Sequence, residues 1–154
     1  MLVKQILSSK GTTDILTIRP EASVAEAASI LAARHIGCLV VSDDGTKPEG
    51  MISERDIIRE MGVRGVRCFD ERVADLMTKD VVTCTCNEQA DAVLTRMTQG
   101  RFRHLPVMNG GHMIGLISIG DVVKARLSEL SMEKDALEWM ITGHRSGSDL
   151  AWAS

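Results

Sequence analysis

The chain has 154 residues, 44% of them hydrophobic and 25% charged, with a formal net charge of −3. That balance excludes a chain-wide basic surface for nucleic acid, and no apolar run approaches the length of a membrane span. A chain of this size buries about 68–70% of the surface it exposes when unfolded, so it needs neither disulfides nor metal to hold a core.

In chain order, the first residues MLVKQILSSKGTTD contain no signal-peptide core, which points to a cytoplasmic protein. A short β-like run follows over Ile15–Ile18. Ser23 and Glu26 spell an S-x-x-E capping box, and Val24, Ala27, Ala28 and Leu31 fall at i, i+3, i+4 and i+7. Together they predict an amphipathic helix. Cys38–Val41 is an apolar strand, SDDGTKPEG a polar turn and Gly50–Ile52 a second strand, so the three read as a hairpin. A helix is expected from near Ser53, with Gly62 as its stop. The Gly- and Arg-rich GVRGVRCFDER, Gly62–Arg72, reads as a link.

The second half repeats this order. VADLMT at Val73–Thr78 echoes VKQILS at Val3–Ser8. Val81–Cys84 is β-like, Asn87 is a candidate N-cap, and Ala90, Val93, Leu94 and Met97 repeat the helical spacing. The strands His104–Val107 and Ile114–Ile117 flank MNGGH, and a helix is expected from near Ser118. Helical sequence continues through VVKARLSELSMEKDALEWMITG, with a restart expected at Ser131, an end at Gly143 and a frayed tail, HRSGSDLAWAS. Trp139, Met140 and Ile141 are expected to cover the chain's own core, with a surface for a partner as the alternative. The expected division is a first repeat over 1–63, a link over 64–72, a second repeat over 73–130 and a C-terminal helix with tail over 131–154.

The repetition reaches single residues. Asp14 aligns with Asp80, Thr17 with Thr83, Leu39 with Leu105 and Val41 with Val107. After a one-residue gap, GMISERD and GLISIGD align: Gly50, Ile52, Ser53 and Asp56 meet Gly115, Ile117, Ser118 and Asp121. Each half is therefore β-α-β-β-α. Neither half buries much alone, so their apolar faces are expected to pack into one body.

The echoed Ser-x-x-Asp carries two readings. As caps, Ser53 and Ser118 hold helix N-termini, and Asp56 and Asp121 sit at the positive end of the dipole. As binding groups, the same strand-to-helix turns offer free N–H groups beside a hydroxyl. The Asp can then accept from both hydroxyls of a ribose, as acidic residues do in dinucleotide folds. Phosphate beside an Asp needs an offsetting cation. Arg103 and His104 in RFRHLPV are candidates, although a solvated Arg and a hydrogen-bonded strand His are the plainer alternatives.

Four cysteines, Cys38, Cys68, Cys84 and Cys86, read as thiols of a reducing compartment, because the C-x-C of VVTCTC lacks further metal ligands. Two Phe, two Trp and no Tyr leave few stacking platforms for single-stranded nucleic acid. No nucleophile with a nearby base, metal set or P-loop appears, so no enzyme activity and no catalytic cofactor are expected.

The doubled G-h-I-S-x-x-D motif, the HLPV upstream of its second copy and the β-α-β-β-α order resemble a tandem pair of CBS domains, named after cystathionine β-synthase. The likeness runs from about Leu2 to Leu127, and RHLPV followed by GLISIGDVVK is its most specific part. It is similar to the small stand-alone bacterial CBS-pair proteins. The resemblance implies a mixed α/β fold of α+β type, two repeats about a pseudo-twofold axis, and a C-terminal helical extension.

It also implies a regulatory module, commonly a homodimer, with adenosine-containing ligands in two clefts between the repeats: AMP or NAD first, with ADP, ATP or S-adenosylmethionine possible. By that resemblance Asp56 and Asp121 would hold ribose, and Ser53 and Ser118 the ribose-phosphate region. Thr17, Ile18, Arg19 and Thr83 would lie near the adenine, and Arg103, His104 and the neighbouring Pro106 near phosphate. Gly37, Cys38 and Val40 stand where the second half has Arg103, His104 and Pro106, so the Asp121 cleft is expected to be the better phosphate site. Arg55 either compensates in part in the Asp56 cleft or is an exposed helix residue. The partner protein it regulates is left open, no membrane or nucleic-acid partner is expected, and a dimeric interaction module with vestigial clefts is the alternative.

Overall fold

The computed structural model describes residues 1–11 and 15–153, with side chains described as far as residue 142. Asp14, one member of the echoed pairs, lies outside the described residues. The chain forms α1 (Val3–Ser9), β1 (Thr17–Ile18), α2 (Val24–Arg34), β2 (Cys38–Val41), β3 (Gly50–Ser53) and α3 (Glu54–Arg64). A 3-10 turn, Gly65–Asp70, leads to α4 (Val73–Leu76), β4 (Cys84–Thr85), α5 (Ala90–Gly100), β5 (His104–Asn109), β6 (His112–Ser118) and α6 (Ile119–Ala153).

Two three-stranded sheets result, β1-β2-β3 and β4-β5-β6, with the same pairing in each. The first strand runs parallel to the second, and the second antiparallel to the third. Leu39 faces Ile52 across one hairpin and Leu105 faces Ile117 across the other; all four are fully buried. The mixed α+β architecture with two β-α-β-β-α repeats and a C-terminal helix is as the sequence implies.

The core consists of two clusters. One cluster holds Ile18, Val24, Ala27, Leu31, Leu39, Val41, Ile52 and Ile57 from the first repeat, together with Val73 from α4. The other holds Val3 and Ile6 from α1 together with Cys84, Val93, Met97, Leu105, Val107, Ile117 and Val122. The repeats thus exchange their leading helices. The backbone records the exchange symmetrically. Val3 N–H donates to Glu88 O at 3.0 Å, and Val73 N–H donates to Ala22 O at 2.8 Å. Ala90 N–H donates to Met1 O and Val24 N–H to Glu71 O, both at 2.8 Å. A half-chain deprived of the other half's helix leaves apolar core surface open, which explains why two small halves persist as one body.

The echoed glycines serve this exchange. A Cβ on Gly50 would lie 2.5 Å from Met77 Sδ and 3.0 Å from Thr78 O. A Cβ on Gly115 would lie 2.7 Å from a Leu7 methyl. Leu7 and Met77 are equivalent positions of the two exchanged segments, so each glycine clears the same close approach.

Several local expectations are corrected. Ser23 Oγ accepts from Glu26 N at 3.1 Å, but Glu26 returns no bond, so only half of that capping box forms. The N-cap of α5 is Gln89, not Asn87, and it caps with no side chain; the bond from Ala90 N to Met1 O replaces it. Gly62 lies inside α3, which ends at Gly65 with φ of 70°. The positive φ there, combined with an extended ψ of −158°, is a conformation essentially confined to glycine and turns the chain. Helix α6 is one run through Ala153, without a break at Ser131 or an end at Gly143, so the tail expected to fray lies within it as far as Ala153. Residues 131–142 are exposed throughout, and Trp139, Met140 and Ile141 are 74%, 62% and 65% exposed. They do not cover the core. The first two turns of α6 do that instead, through Val122 and Ala125.

Candidate functional site

Both echoed motifs sit where an antiparallel strand ends and a helix begins. Ser53 Oγ accepts from Asp56 N at 3.3 Å, while Asp56 Oδ2 accepts from Ser53 N at 2.9 Å and from its hydroxyl at 3.0 Å. Ser118 Oγ accepts from Asp121 N at 3.1 Å, and Asp121 Oδ2 accepts from Ser118 N at 2.9 Å. The capping reading is therefore correct for both copies, each contributing about 1 kcal/mol of helix stability. Capping occupies only one carboxylate oxygen. Asp56 Oδ1 receives the Thr78 hydroxyl at 3.5 Å and lies 3.7 Å from the Arg59 guanidinium. Asp121 Oδ1 makes no hydrogen bond with the described residues.

Each motif walls a cleft between the repeats. The Asp121 cleft, of about 390 Å³, is lined by Leu7 of α1 and Lys10 just after it, by Ile15 and Leu16, by Ile36–Cys38 at the start of β2, and by His104, Gly115, Leu116 and Ser118. The Asp56 cleft, of about 420 Å³, is lined by the corresponding Thr78 and Asp80, Val81 and Val82, and Phe102–His104, with Met51, Ser53 and Glu54. Arg55, Arg59 and Arg101 complete it. Gly37, Cys38 and His104 line both clefts where the two hairpins meet. Gly37 O accepts from Glu54 N at 3.0 Å, and Arg103 O accepts from Ile119 N at 2.8 Å, one such bond on each side of the pseudo-twofold.

The structure therefore brings Ser53, Arg55, Asp56, Arg103 and His104 to one cleft and Ser118, Asp121 and His104 to the other. Arg103 lines the Asp56 cleft and is not among the lining of the Asp121 cleft, so it does not stand beside the carboxylate of its own repeat. The reason is topological. The start of β5 faces across the axis, so Arg103 of the second repeat lines the cleft that holds the carboxylate of the first.

The remaining candidates lie elsewhere. Ile18 is core. Thr17, Ile18 and Arg19 border a separate open groove with Glu21 and Glu26. The Arg19 guanidinium is exposed and pairs with Glu21 at 3.6 Å and Asp43 at 4.0 Å. Thr83 O accepts from Arg96 at 2.9 Å, outside both clefts. Pro106 is buried in β5 opposite Leu116.

The residues that do line the corresponding walls, Ile15 and Leu16 with Val81 and Val82, come just before the strands. Their apolar pairing in the echoed segments was the available signal. Lys10 had none, because its partner lies at the far end of the chain. Lys10 Nζ donates to Asp121 Oδ2 at 2.9 Å and to Leu116 O at 2.8 Å.

Charge in the clefts follows from these contacts. Burial would raise the Asp121 carboxyl, but Lys10 together with the Ser118 backbone and hydroxyl outweighs it and holds the group below its ordinary range. His104 is pushed down from its ordinary value by burial; Asp121 opposes this, and Lys10 and Arg103 add to it. Its imidazole is therefore mostly neutral at pH 7. Burial, with Asp56 adding, pushes the Cys38 thiol up to about 12, so the thiol that both clefts share stays protonated and is no nucleophile. Among the described residues no group of three His, Cys, Asp or Glu is placed to hold a metal ion, and no helix is long and apolar enough to cross a membrane.

The CBS domain family matches this chain twice, over residues 3–63 and 73–128. The crystal structure of a CBS-domain containing protein from Agrobacterium tumefaciens, ATU1752, superposes with a TM-score of 0.78 at 43% identity, covering 82% of this chain and 99% of that one. A mitochondrial CBS domain-containing protein of Arabidopsis thaliana, CBSX3, is 32% identical over 92% of this chain and 72% of its own length. The CBS domain pair of protein MJ0100, solved in complex with 5′-methylthioadenosine and S-adenosyl-L-methionine, superposes with a TM-score of 0.72 at 25% identity. That alignment covers 84% of this chain and 98% of the other.

Proposed function

Because the chain belongs to the CBS-domain family, we propose that it is a regulatory module that binds adenosine-containing ligands in the two clefts between its repeats. The observation that carries this reading is the doubled Ser-x-x-Asp turn. In each cleft a carboxylate is fixed by its own helix cap through one oxygen; the second is unpartnered among the described residues in Asp121 and is met in Asp56 only by the Thr78 hydroxyl at 3.5 Å and Arg59 at 3.7 Å, so each has capacity for a ribose diol. Asp56 and Asp121 take the ribose, and Ser53 and Ser118 lie beside it. The adenosine ligands of the MJ0100 pair support this ligand class. AMP, ADP, ATP, NAD and S-adenosylmethionine all carry the ribose that such a carboxylate reads.

The proposed output is conformational. A ligand held between repeats shifts their arrangement, or that of two copies in a homodimer, only as far as it binds one arrangement better than the other. Each cleft touches an exchanged segment, through Leu7 and Lys10 or through Thr78 and Asp80, so the site couples directly to how the halves hold each other. No catalysis is proposed: the carboxylates are engaged in caps and the shared thiol is protonated. The four free cysteines suit a reducing compartment such as the cytoplasm. A partner-binding role stands beside this reading, favoured by the exposed span 131–142 of α6.

A thermal-shift panel of AMP, ADP, ATP, NAD, S-adenosylmethionine and 5′-methylthioadenosine tests the proposal on wild type and on Asp56→Ala/Asp121→Ala. A ligand at 100 times its dissociation constant stabilises by about 2.7 kcal/mol, which for this size raises the melting temperature by roughly 5–10 °C. A shift with at least one compound, absent in the double variant, is expected. No shift with any of them would move the search to protein partners.

A further inference from the structure

The two clefts share their walls but not their charge. The Asp56 cleft is lined by Arg55, Arg59, Arg101 and Arg103 against Glu54, Asp56 and Asp80. Arg59 is spent in part on Asp56 at 3.7 Å. Arg55, Arg101 and Arg103 form no ion pair with the described residues. Three guanidinium forks are thus available at a cleft whose fourth is weakly held.

The Asp121 cleft is different. Its cation among the described residues is Lys10, held by Asp121 at 2.9 Å and by Leu116 O at 2.8 Å. The pair cancels its own charge. Leu7, Ile15, Leu16, Ile36 and Cys38 supply most of the remaining wall. His104, common to both clefts, is mostly neutral at pH 7 because burial disfavours its charged form. A phosphate entering the Asp121 cleft would have to draw Lys10 from two partners and then sit beside the released carboxylate. A phosphate entering the Asp56 cleft meets arginines that give up no ion pair, and a planar guanidinium can bind its oxygens bidentately.

We propose that the two clefts divide ligands by charge: the Asp56 cleft takes a phosphorylated adenosine ligand, its phosphates held by Arg55, Arg101 and Arg103, and the Asp121 cleft takes an adenosine-type ligand without phosphate. This rests on the reading of both clefts as adenosine sites. It adds that one chain carries two signals at once, and that neither competes with the other.

Calorimetric titration with ATP and with 5′-methylthioadenosine tests the division on wild type, Arg101→Gln/Arg103→Gln and Asp121→Asn. Both arginines are exposed, so their replacement leaves the cores untouched. The arginine variant is expected to weaken ATP roughly tenfold or more, the scale of one lost charge-assisted hydrogen bond, and to leave 5′-methylthioadenosine unchanged. Asp121→Asn is expected to do the reverse. Raised salt weakens ATP alone, and each compound still titrates when the other is saturating. The division is overturned if ATP is lost with Asp121→Asn and kept in the arginine variant, or if the two compounds exclude each other. If neither compound binds wild type, the adenosine reading itself fails, and the division falls with it.

Discussion

The Asp56 and Asp121 clefts come from one repeated plan, yet they differ in what a ligand would meet. The backbone is copied closely: the same cap, the same hairpin register, the same glycine under the same exchanged segment. The side chains that face the open space are not. Arg103 and His104 stand where the first repeat has Gly37 and Cys38, and the segment after the exchanged helix contributes Asp80 to one cleft but Lys10 to the other. Positions that hold the fold are constrained by packing, because a Cβ or a shifted register is felt throughout a close-packed core. Positions that only line a cleft carry no such constraint and are where two halves can diverge in function.

The sharpest way to break the comparison is to attack the exchange that makes the halves interdependent. Ile6 is 1% exposed and lies in the core of the second repeat although it belongs to the first. Ile6→Ala is expected to destabilise the protein by about 2–5 kcal/mol. Hydrogen exchange should show β4, β5 and β6 losing protection before β1, β2 and β3. Val73→Ala, at the equivalent place in α4, should loosen the first sheet instead. If Ile6→Ala loosened β1–β3 first, α1 would belong to its own repeat and the exchange would be wrong.

That exchange was not legible in the sequence, although its parts were. VKQILS and VADLMT announced equivalent elements, but an amphipathic turn does not say whose core it enters. The hairpins were legible because Leu39, Val41, Ile52 and their echoes form short apolar runs bounded by turn residues. The capping role of Ser53 and Ser118 was legible because it is local, within three residues. The place of Arg103 was not legible, because its nearness to GLISIGD along the chain is not nearness to Asp121 in space. The start of β5 faces across the axis instead. Thr17 and Thr83 were set a little too far along, since the walls are made by Ile15, Leu16, Val81 and Val82 before the strands begin. The amphipathic pattern around Trp139, Met140 and Ile141 favours core over a partner surface, but such a pattern cannot tell a covered helix face from a bare one.

A smaller effect sharpens the electrostatic side of the comparison. Lys10 and the Ser118 turn hold the Asp121 carboxyl below its ordinary range in the folded chain. Protonation therefore favours the unfolded state. The stabilisation is complete above the unfolded pKa of about 3.9 and is lost as pH falls through the lower, folded value. Asp121→Asn removes the ion pair but keeps a capping side chain, so a loss of about 1 kcal/mol is expected at neutral pH. Urea melts of variant and wild type should converge as the pH is lowered past that range. A gap that stays constant would show that Lys10 contributes nothing through charge.

The smallest effect concerns the one part of the molecule that has no twin. The second repeat ends in α6, which continues far beyond the cap at Ser118, whereas α3 stops after Arg64. Val122 and Ala125 are the residues of α6 that join the core, and residues 131–142 are exposed without exception. A chain ending at residue 130 is therefore expected to melt within about 0.5 kcal/mol of the full chain, the range of surface changes that touch no buried feature, when both are measured at low protein concentration. Stability that depends on chain concentration in the full protein alone would mean that two copies bury this span against each other. Subunit association stabilises by mass action, and the asymmetry between the halves would then be what builds the assembly.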